Sequence, residues 1–199
     1  MVRRAQQTPL GTLYNLSFED LNIIDTIQEL WMQYIMWERS LLMTLAFNHP
    51  NLEFILSRIY RVPLDFYNTL RVFYGTRVAQ QMLDYLQSRI NSEIGLIDAM
   101  IQGDESAVDA YMADLYRTTD ELAEFFGQFP YWDASEWKSL LYRDVGLFID
   151  EIRALISGDY EREIIIFEIM MDNASAIGRF MAAGILASSM ISAPQTPTV

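Results

Sequence analysis

Apolar residues recur every three or four positions along most of the chain, and this spacing constrains the fold more than any other feature. The clearest run begins after Ser17 and continues to about Asn48, and comparable runs fill most of the remaining sequence. Such a period is that of one face of an α-helix, whereas a half-buried strand alternates every second residue. The one β-like stretch, residues 164–167, lies inside a helical run much longer than a strand. The sequence therefore predicts an all-α protein.

The helical runs are separated by a few residues that stop or cap helices. These residues are Gly75, Gly103, Asp104, Asp133 and Gly158. Residues 51–61 and 63–74 are predicted to form two short helices, and Pro63 opens the second of them. Short connections between long helices favour antiparallel neighbours. The prediction is an up-down helical bundle of four to five long helices, with short helices between the first and second long ones.

The chain is predicted to be one domain with two loosely held ends. Residues 1–16 contain Pro9 and Gly11 and no helical period, so we expect a flexible N-terminal lead. Residues 17–190 form the predicted bundle, and residues 191–199 a disordered tail. A chain of 199 residues can bury a core that needs no disulfide or metal.

Composition excludes several classes of function. The chain has no Cys and one His, which excludes thiolate metal sites, iron–sulfur clusters, Cys nucleophiles and any site needing two imidazoles from one chain. A net charge of −13 disfavours binding to a phosphate backbone, so we expect no nucleic-acid partner. Glycine-rich phosphate loops are absent from the sequence. We expect no cofactor.

The most apolar stretch, residues 174–193, is predicted to be a buried last helix. Arg179 interrupts it, and a charge in the middle of a membrane span is costly, so membrane contact is not expected. The N-terminus has no apolar segment typical of a secretory signal. Because the absence of Cys fits a reducing compartment, a cytoplasmic location is expected.

Six polar residues fall on or beside apolar stripes and form the predicted polar cluster of the bundle core. Its members are Tyr34, Glu38, Arg89, Glu93, Asp144 and Glu168. Buried charge is costly unless it is paired and hydrogen-bonded. If these residues face inward, Arg89 is the obvious counter-ion for one or two of the carboxylates. The remaining acidic surplus, including Glu161 and Glu163, is expected on outward helix positions.

Three interpretations of this cluster remain open. Its members can lie at stripe edges and reach water, form a buried structural network centred on Arg89, or line a pocket for a ligand or metal. A di-iron carboxylate site is disfavoured, because it needs Glu-x-x-His motifs and the sequence contains none.

Several short segments resemble a family of small bacterial all-helical proteins, over roughly residues 25–186. They are LWMQYIMWER at 30–39, DF at 65–66, FYG at 73–75, TDELAEF at 119–125, PYW at 130–132, LYRD at 141–144 and GDYE at 158–161. Proteins of this family are often labelled acetylglutamate kinase. That label does not suit this sequence, because an amino-acid kinase is a larger α/β protein with glycine-rich phosphate loops. The resemblance implies no established activity.

The resemblance also implies a difference in the bundle interior. Members of the family tend to have His at the positions of Tyr34, Arg89 and Asp144, an arrangement similar to the metal sites of other His-bearing bacterial four-helix bundles. Imidazole is a common ligand for zinc, iron and nickel, whereas a fixed guanidinium repels a cation. We therefore hypothesise that an Arg89–Asp144 ion pair, with Tyr34 donating a hydrogen bond, replaces a metal site.

The leading functional prediction is a non-enzymatic binding or structural protein, acting as a homo-oligomer or with a protein partner. The alternative is a small-molecule binder or enzyme with a polar pocket around Glu38, Arg89, Glu93 and Asp144. A carboxylate-based metalloprotein is a further alternative, and acetylglutamate kinase activity is not expected.

Overall fold

The structure, a computed structural model, describes residues 16–192 and is all-α, as predicted. Residues 1–15 of the predicted lead and residues 193–199 of the predicted tail lie outside the described part of the chain. The helices within residues 16–192 are α1 (Phe18–Ala46), α2 (Leu52–Ile59), α3 (Val62–Gln102), α4 (Glu105–Phe126), α5 (Ala134–Ile156) and α6 (Tyr160–Ser192). The last helix thus runs two residues into the segment that was predicted to be tail.

Side chains cap the helices where the sequence predicted. Ser17 accepts a hydrogen bond from the backbone of Asp20, whose carboxylate accepts in return from the Ser17 backbone. Asp104 and Asp133 accept from backbone N–H groups in the first turns of α4 and α5. Each cap satisfies N–H groups that have no partner within the helix, and so fixes where the helix begins.

The chain of α3 turns back on itself at Gly75. This residue has φ 76° and ψ 177°, a backbone conformation that glycine adopts far more readily than other residues. The Tyr60 hydroxyl, just before α3, donates a hydrogen bond to Asn91 near its far end. In a straight helix these residues would lie about 45 Å apart, so the bond requires a reversal. The predicted stop at Gly75 is the physical break between two helical segments.

The helices close into a ring around one core. α1 packs against α6, α6 against α5, α5 against α4 and α4 against α3, while α1 also contacts α2 and α3. α5 also touches α1 and α3, so three helices share the centre. The largest buried apolar side chains include Trp31, Phe66, Phe126, Trp137 and Phe148.

The register of α1 against α6 depends on a glycine. A Cβ atom on Gly178 would lie 2.6 Å from the Cα atom of Gln28, so the two backbones approach closely here. The Gln28 side chain donates to Ser175 Oγ at 2.8 Å. Eleven residues further along α1, Arg39 meets Glu163 on α6. The two helices are therefore antiparallel, and the C-terminal half of α1 faces the first turns of α6.

Among residues 16–192, no helix has a stretch apolar enough to cross a membrane. The last helix packs instead against α1 and α5 through its buried stripe, which includes Ile166, Met170, Ala174 and Ile177.

Candidate functional site

Five of the six residues predicted for the polar cluster meet in the centre of the bundle. Their side chains are buried: Tyr34 and Glu38 from α1, Arg89 and Glu93 from α3, and Asp144 from α5. Each lies on the core-facing stripe of its helix, as Asp144 does one turn after Leu141 and one turn before Phe148. Of the open interpretations, the geometry fits a buried network centred on Arg89, because these side chains do not reach water.

Glu168 is not part of this cluster, so its assignment to the bundle core was wrong. Its side chain is exposed on α6. The buried stripe of α6 passes through Ile166 and Met170, and Glu168 lies two residues from each, on the other side of the helix. Its neighbours Phe167 and Met171, which suggested the assignment, are only partly buried because they lie at the edge of the stripe.

Arg89 is the centre of the cluster and is surrounded by three carboxyl groups. Its Nη2 atom is 2.7 Å from Asp144 Oδ2 and 3.3 Å from Glu38 Oε1, and its Nε donates to Glu93 Oε1 at 2.5 Å. The guanidinium also lies over the ring of Tyr34, at 5.3 Å from the ring centroid. One buried cation thus ties α1, α3 and α5 together.

Tyr34 donates its hydrogen bond to Glu93, with its hydroxyl oxygen 2.8 Å from both carboxylate oxygens. The ion pair and the tyrosine donor of the sequence hypothesis therefore both exist in this geometry. The acceptor is the carboxylate that also binds Arg89 Nε. Tyr34 and Arg89 thus hold Glu93 from two sides, which offsets the cost of burying its charge.

Burial sets the protonation of the cluster. Burial, reinforced by the charge of Glu93, raises the pKa of Glu38 well above its ordinary value. A protonated Glu38 can donate a hydrogen bond to Glu93, and this bond contributes to the raised pKa. Burial also raises the pKa of the Tyr34 hydroxyl, so it remains a donor at neutral pH. For Arg89, burial opposes the charge, but the acidic groups around it outweigh burial and raise its pKa.

A second buried ionic cluster, the Arg39 cluster, joins α1, α5 and α6. Arg39 donates to both oxygens of Glu163 at 2.6 and 3.0 Å, and its Nε lies 3.6 Å from Glu151 Oε1. Both glutamates are buried, while the Arg39 side chain is 28% exposed. Burial, followed by the charge of Glu163, raises the pKa of Glu151 to about 8. Glu151 follows Asp144 by seven residues, so the two clusters are stacked along α5.

Sequence reasoning missed the Arg39 cluster, and its assignment of Glu163 to an outward position was wrong. The signal was present in the sequence, because Glu163 lies three residues before Ile166 and seven before Met170. Those intervals place it on the buried stripe of α6. Likewise, Glu151 lies between the buried residues Ile149 and Ile152. Both positions were missed because the acidic surplus was expected on outward helix positions.

Several polar atoms at the Arg89 cluster lack well-aligned hydrogen bonds, among them carboxyl oxygens of Glu38 and Asp144. Three more lie on the side of the cluster toward α4. They are Arg89 Nη1, the Tyr85 hydroxyl and Thr119 Oγ1. The three side chains are neighbours, and Thr119 and Arg89 partly offset the rise that burial causes in the Tyr85 pKa. Tyr85 also lines a surface cavity of about 200 Å³ between α3 and α4. Tyr85 therefore connects the surroundings of Arg89 to an opening at the surface.

Although three carboxyl groups surround Arg89, the described part of the chain contains no candidate metal centre. Among residues 16–192, no group of three or more His, Asp or Glu side chains is arranged to hold a metal ion. His49 is exposed after the end of α1, with its Nδ1 atom 2.7 Å from Asn51 Oδ1.

None of the family models, curated proteins or solved structures compared with this chain matches it. The resemblance to small bacterial helical proteins therefore remains an expectation based on short segments.

Proposed function

We propose that this is a non-catalytic helical-bundle protein that acts by binding a partner, with an ion pair in place of a family-type metal site. One observation carries the proposal: the side chains of Tyr34, Arg89 and Asp144 meet at one point inside the bundle. These are the positions at which the resemblance implies His. The proposed partner is another protein or a second copy of this chain, and the proposed location is the cytoplasm.

The chemistry of Arg89 supports a bundle without a resident metal ion. A guanidinium remains protonated in proteins, so it repels a cation at any pH at which the bundle is folded. Its contacts with Glu38, Glu93 and Asp144 also use the carboxyl groups that a hard metal ion would need. The same side chains fill the centre, which favours the outer surface as the functional part of the molecule.

The proposal is tested by restoring imidazoles to the three positions. In Tyr34→His/Arg89→His/Asp144→His we expect about one Zn²⁺ or Co²⁺ per chain, because three imidazoles at one point make a metal site. For the unsubstituted protein we expect no stoichiometric metal. Elemental analysis measures the content, and the visible spectrum of Co²⁺ reports the coordination geometry.

The matched control carries the same number of imidazoles in a different arrangement. Tyr34→His/Arg89→His/Arg143→His places the third His on an exposed position of α5, next to Asp144, and should bind metal much more weakly. Circular dichroism with and without metal establishes that each variant folds. Stoichiometric iron, zinc or manganese in the unsubstituted protein would overturn the proposal, whether or not the variants fold.

A second candidate function is the binding of a small polar ligand beside Arg89. The poorly satisfied atoms of Arg89, Tyr85 and Thr119 favour it. The ligand would be neutral, because the carboxyl groups around Arg89 repel an anion. NMR titration with small amides and alcohols tests it: saturable shifts confined to these three residues would favour the ligand site. Uniformly small shifts across the protein would favour the partner-binding proposal.

A further inference from the structure

An open groove lies over the outer face of α1, and the residues that line it all belong to α1. The helices α2 and α6 contact α1 on either side of it. Two side-chain hydrogen bonds mark its edges. Gln28 of α1 donates to Ser175 of α6, and Arg58 of α2 donates to Gln33 of α1. Between these edges a cavity of about 600 Å³ opens to solvent over the middle of α1.

Methionines form the apolar part of this groove. Met32 is half-buried and Met36, one turn later, is 53% exposed. Both line the cavity. Unbranched methionine side chains adapt to different apolar partners, and they are over-represented on surfaces that bind amphipathic helices. An exposed apolar floor between two flanking helices fits a helix laid into a groove.

The charge of the groove is acidic. Asp25 and Glu29 line its floor. Asp172 and Glu168 are exposed on α6, three and seven residues before Ser175, and so share the face that borders the groove. Among the ion pairs within residues 16–192, none includes these four carboxylates. Two arginines lie at the same edges: Arg58 donates to Gln33, and the exposed Arg179 donates to Ser175. Four carboxylates against two guanidinium groups leave the groove with a negative net charge, to which Glu168 contributes.

We propose that this groove, the α1 groove, binds a basic amphipathic α-helix of another protein. This inference depends on the proposed function, since it names the surface and the kind of partner through which the protein acts. The apolar face of the partner helix would cover Met32 and Met36, and its Lys or Arg residues would pair with the four carboxylates. A second copy of this chain fits less well, because each copy carries a net charge of −13.

The test uses a fluorescently labelled 18-residue helical peptide of leucine and lysine with its lysines on one face. We expect saturable one-to-one binding by fluorescence anisotropy. We expect Asp25→Asn/Glu29→Gln to weaken the binding about tenfold, because it removes two carboxylates from the groove. Met36→Ser should weaken it by a similar factor through lost apolar contact. Met36 is more than half exposed, so this variant should fold normally.

Two controls separate a specific groove from general attraction to an acidic protein. Glu105→Gln/Asp109→Asn removes the same charge from exposed positions of α4 and should change affinity little. A peptide of the same composition with its leucines scattered should bind weakly. Equal weakening by both charge variants would overturn the proposal, as would equal binding of the scattered peptide.

Sedimentation of the protein alone tests the competing occupant. A dimer that Met36→Ser dissociates would overturn the proposal, because a second copy would then fill the α1 groove. The imidazole and metal experiments do not involve this surface. If the peptide does not bind and the protein contains no metal, the proposal for the α1 groove is wrong, but the proposed function is not contradicted.

Discussion

Arg89 on α3 holds its guanidinium 2.7 Å from the carboxylate of Asp144 on α5, with both side chains almost fully buried. Because Arg89 also contacts Glu38 and Glu93, removing it would leave buried carboxyl groups without their cation. We expect Arg89→Met to lower the free energy of unfolding by about 3–5 kcal/mol, measured by urea denaturation. Arg117→Met is the control, because Arg117 forms exposed ion pairs that contribute little. Equal effects of the two substitutions would contradict a structural role for the buried cation.

Glu151 should make the stability of the protein depend on pH. Its pKa is about 8 in the folded state, above an ordinary value of 4.5, because of burial and the charge of Glu163. Arg39 and Asp144 also act on it, in opposite directions. The folded state thus binds the proton of Glu151 more tightly than the unfolded state does. The stabilisation that Glu151 contributes is therefore complete below about pH 4.5 and is lost as pH rises through 8.

Glu151→Gln should remove this dependence, because an amide does not titrate. From about pH 5 to pH 9 the stability of the variant relative to the parent protein should rise by roughly 3–4 kcal/mol. Urea denaturation across this range measures the change. Glu161→Gln, at an exposed position of α6, should follow the parent curve. Parallel curves for Glu151→Gln and the parent would show that Glu151 is ionised in both states.

Tyr34 should stabilise the cluster through its hydroxyl. Tyr34→Phe keeps the ring against Arg89 and removes only the donor to Glu93, so we expect a loss of about 1–3 kcal/mol. Tyr160→Phe removes the hydroxyl of a tyrosine that is 53% exposed and should have little effect. The melting temperatures of the two variants, measured by circular dichroism, distinguish these outcomes. An unchanged melting temperature for Tyr34→Phe would contradict the hydrogen bond.

Two glycines within helices should respond to alanine in opposite directions. Gly178→Ala pushes a methyl group against the backbone of Gln28, so we expect a loss of about 1–3 kcal/mol. At Gly146 on α5 a Cβ would meet only the Tyr116 hydroxyl, at 4.0 Å. Gly146→Ala should therefore stabilise the protein by about 0.5–1 kcal/mol through helix propensity. Stability changes of the same sign in the two variants would contradict the close approach of α1 and α6.

The sequence predicted the helices well because their ends are encoded locally. Asp104 and Asp133 cap the helices that follow them, and Gly75 breaks α3 at the predicted place. The polar cluster was predicted in large part because a charge on an apolar stripe has to be paired. The prediction placed Glu168 in the core and Glu163 on the surface, whereas the structure has the reverse. A shift of one or two residues along a helix is enough to move a side chain between core and solvent. Which helices meet around Arg89 depends on tertiary packing, which local patterns do not encode.

The coupling free energy between Arg89 and Asp144 measures how far this buried pair holds the centre of the bundle together. A double-mutant cycle of Arg89→Met, Asp144→Asn and the combined variant, measured by urea denaturation, isolates it from the effects of the single substitutions. We expect the double variant to be more stable than the sum of the single losses by about 1.5–3 kcal/mol, because removing both partners leaves less unpaired charge. Additivity within about 0.5 kcal/mol would show that the pair does not hold the centre of the bundle.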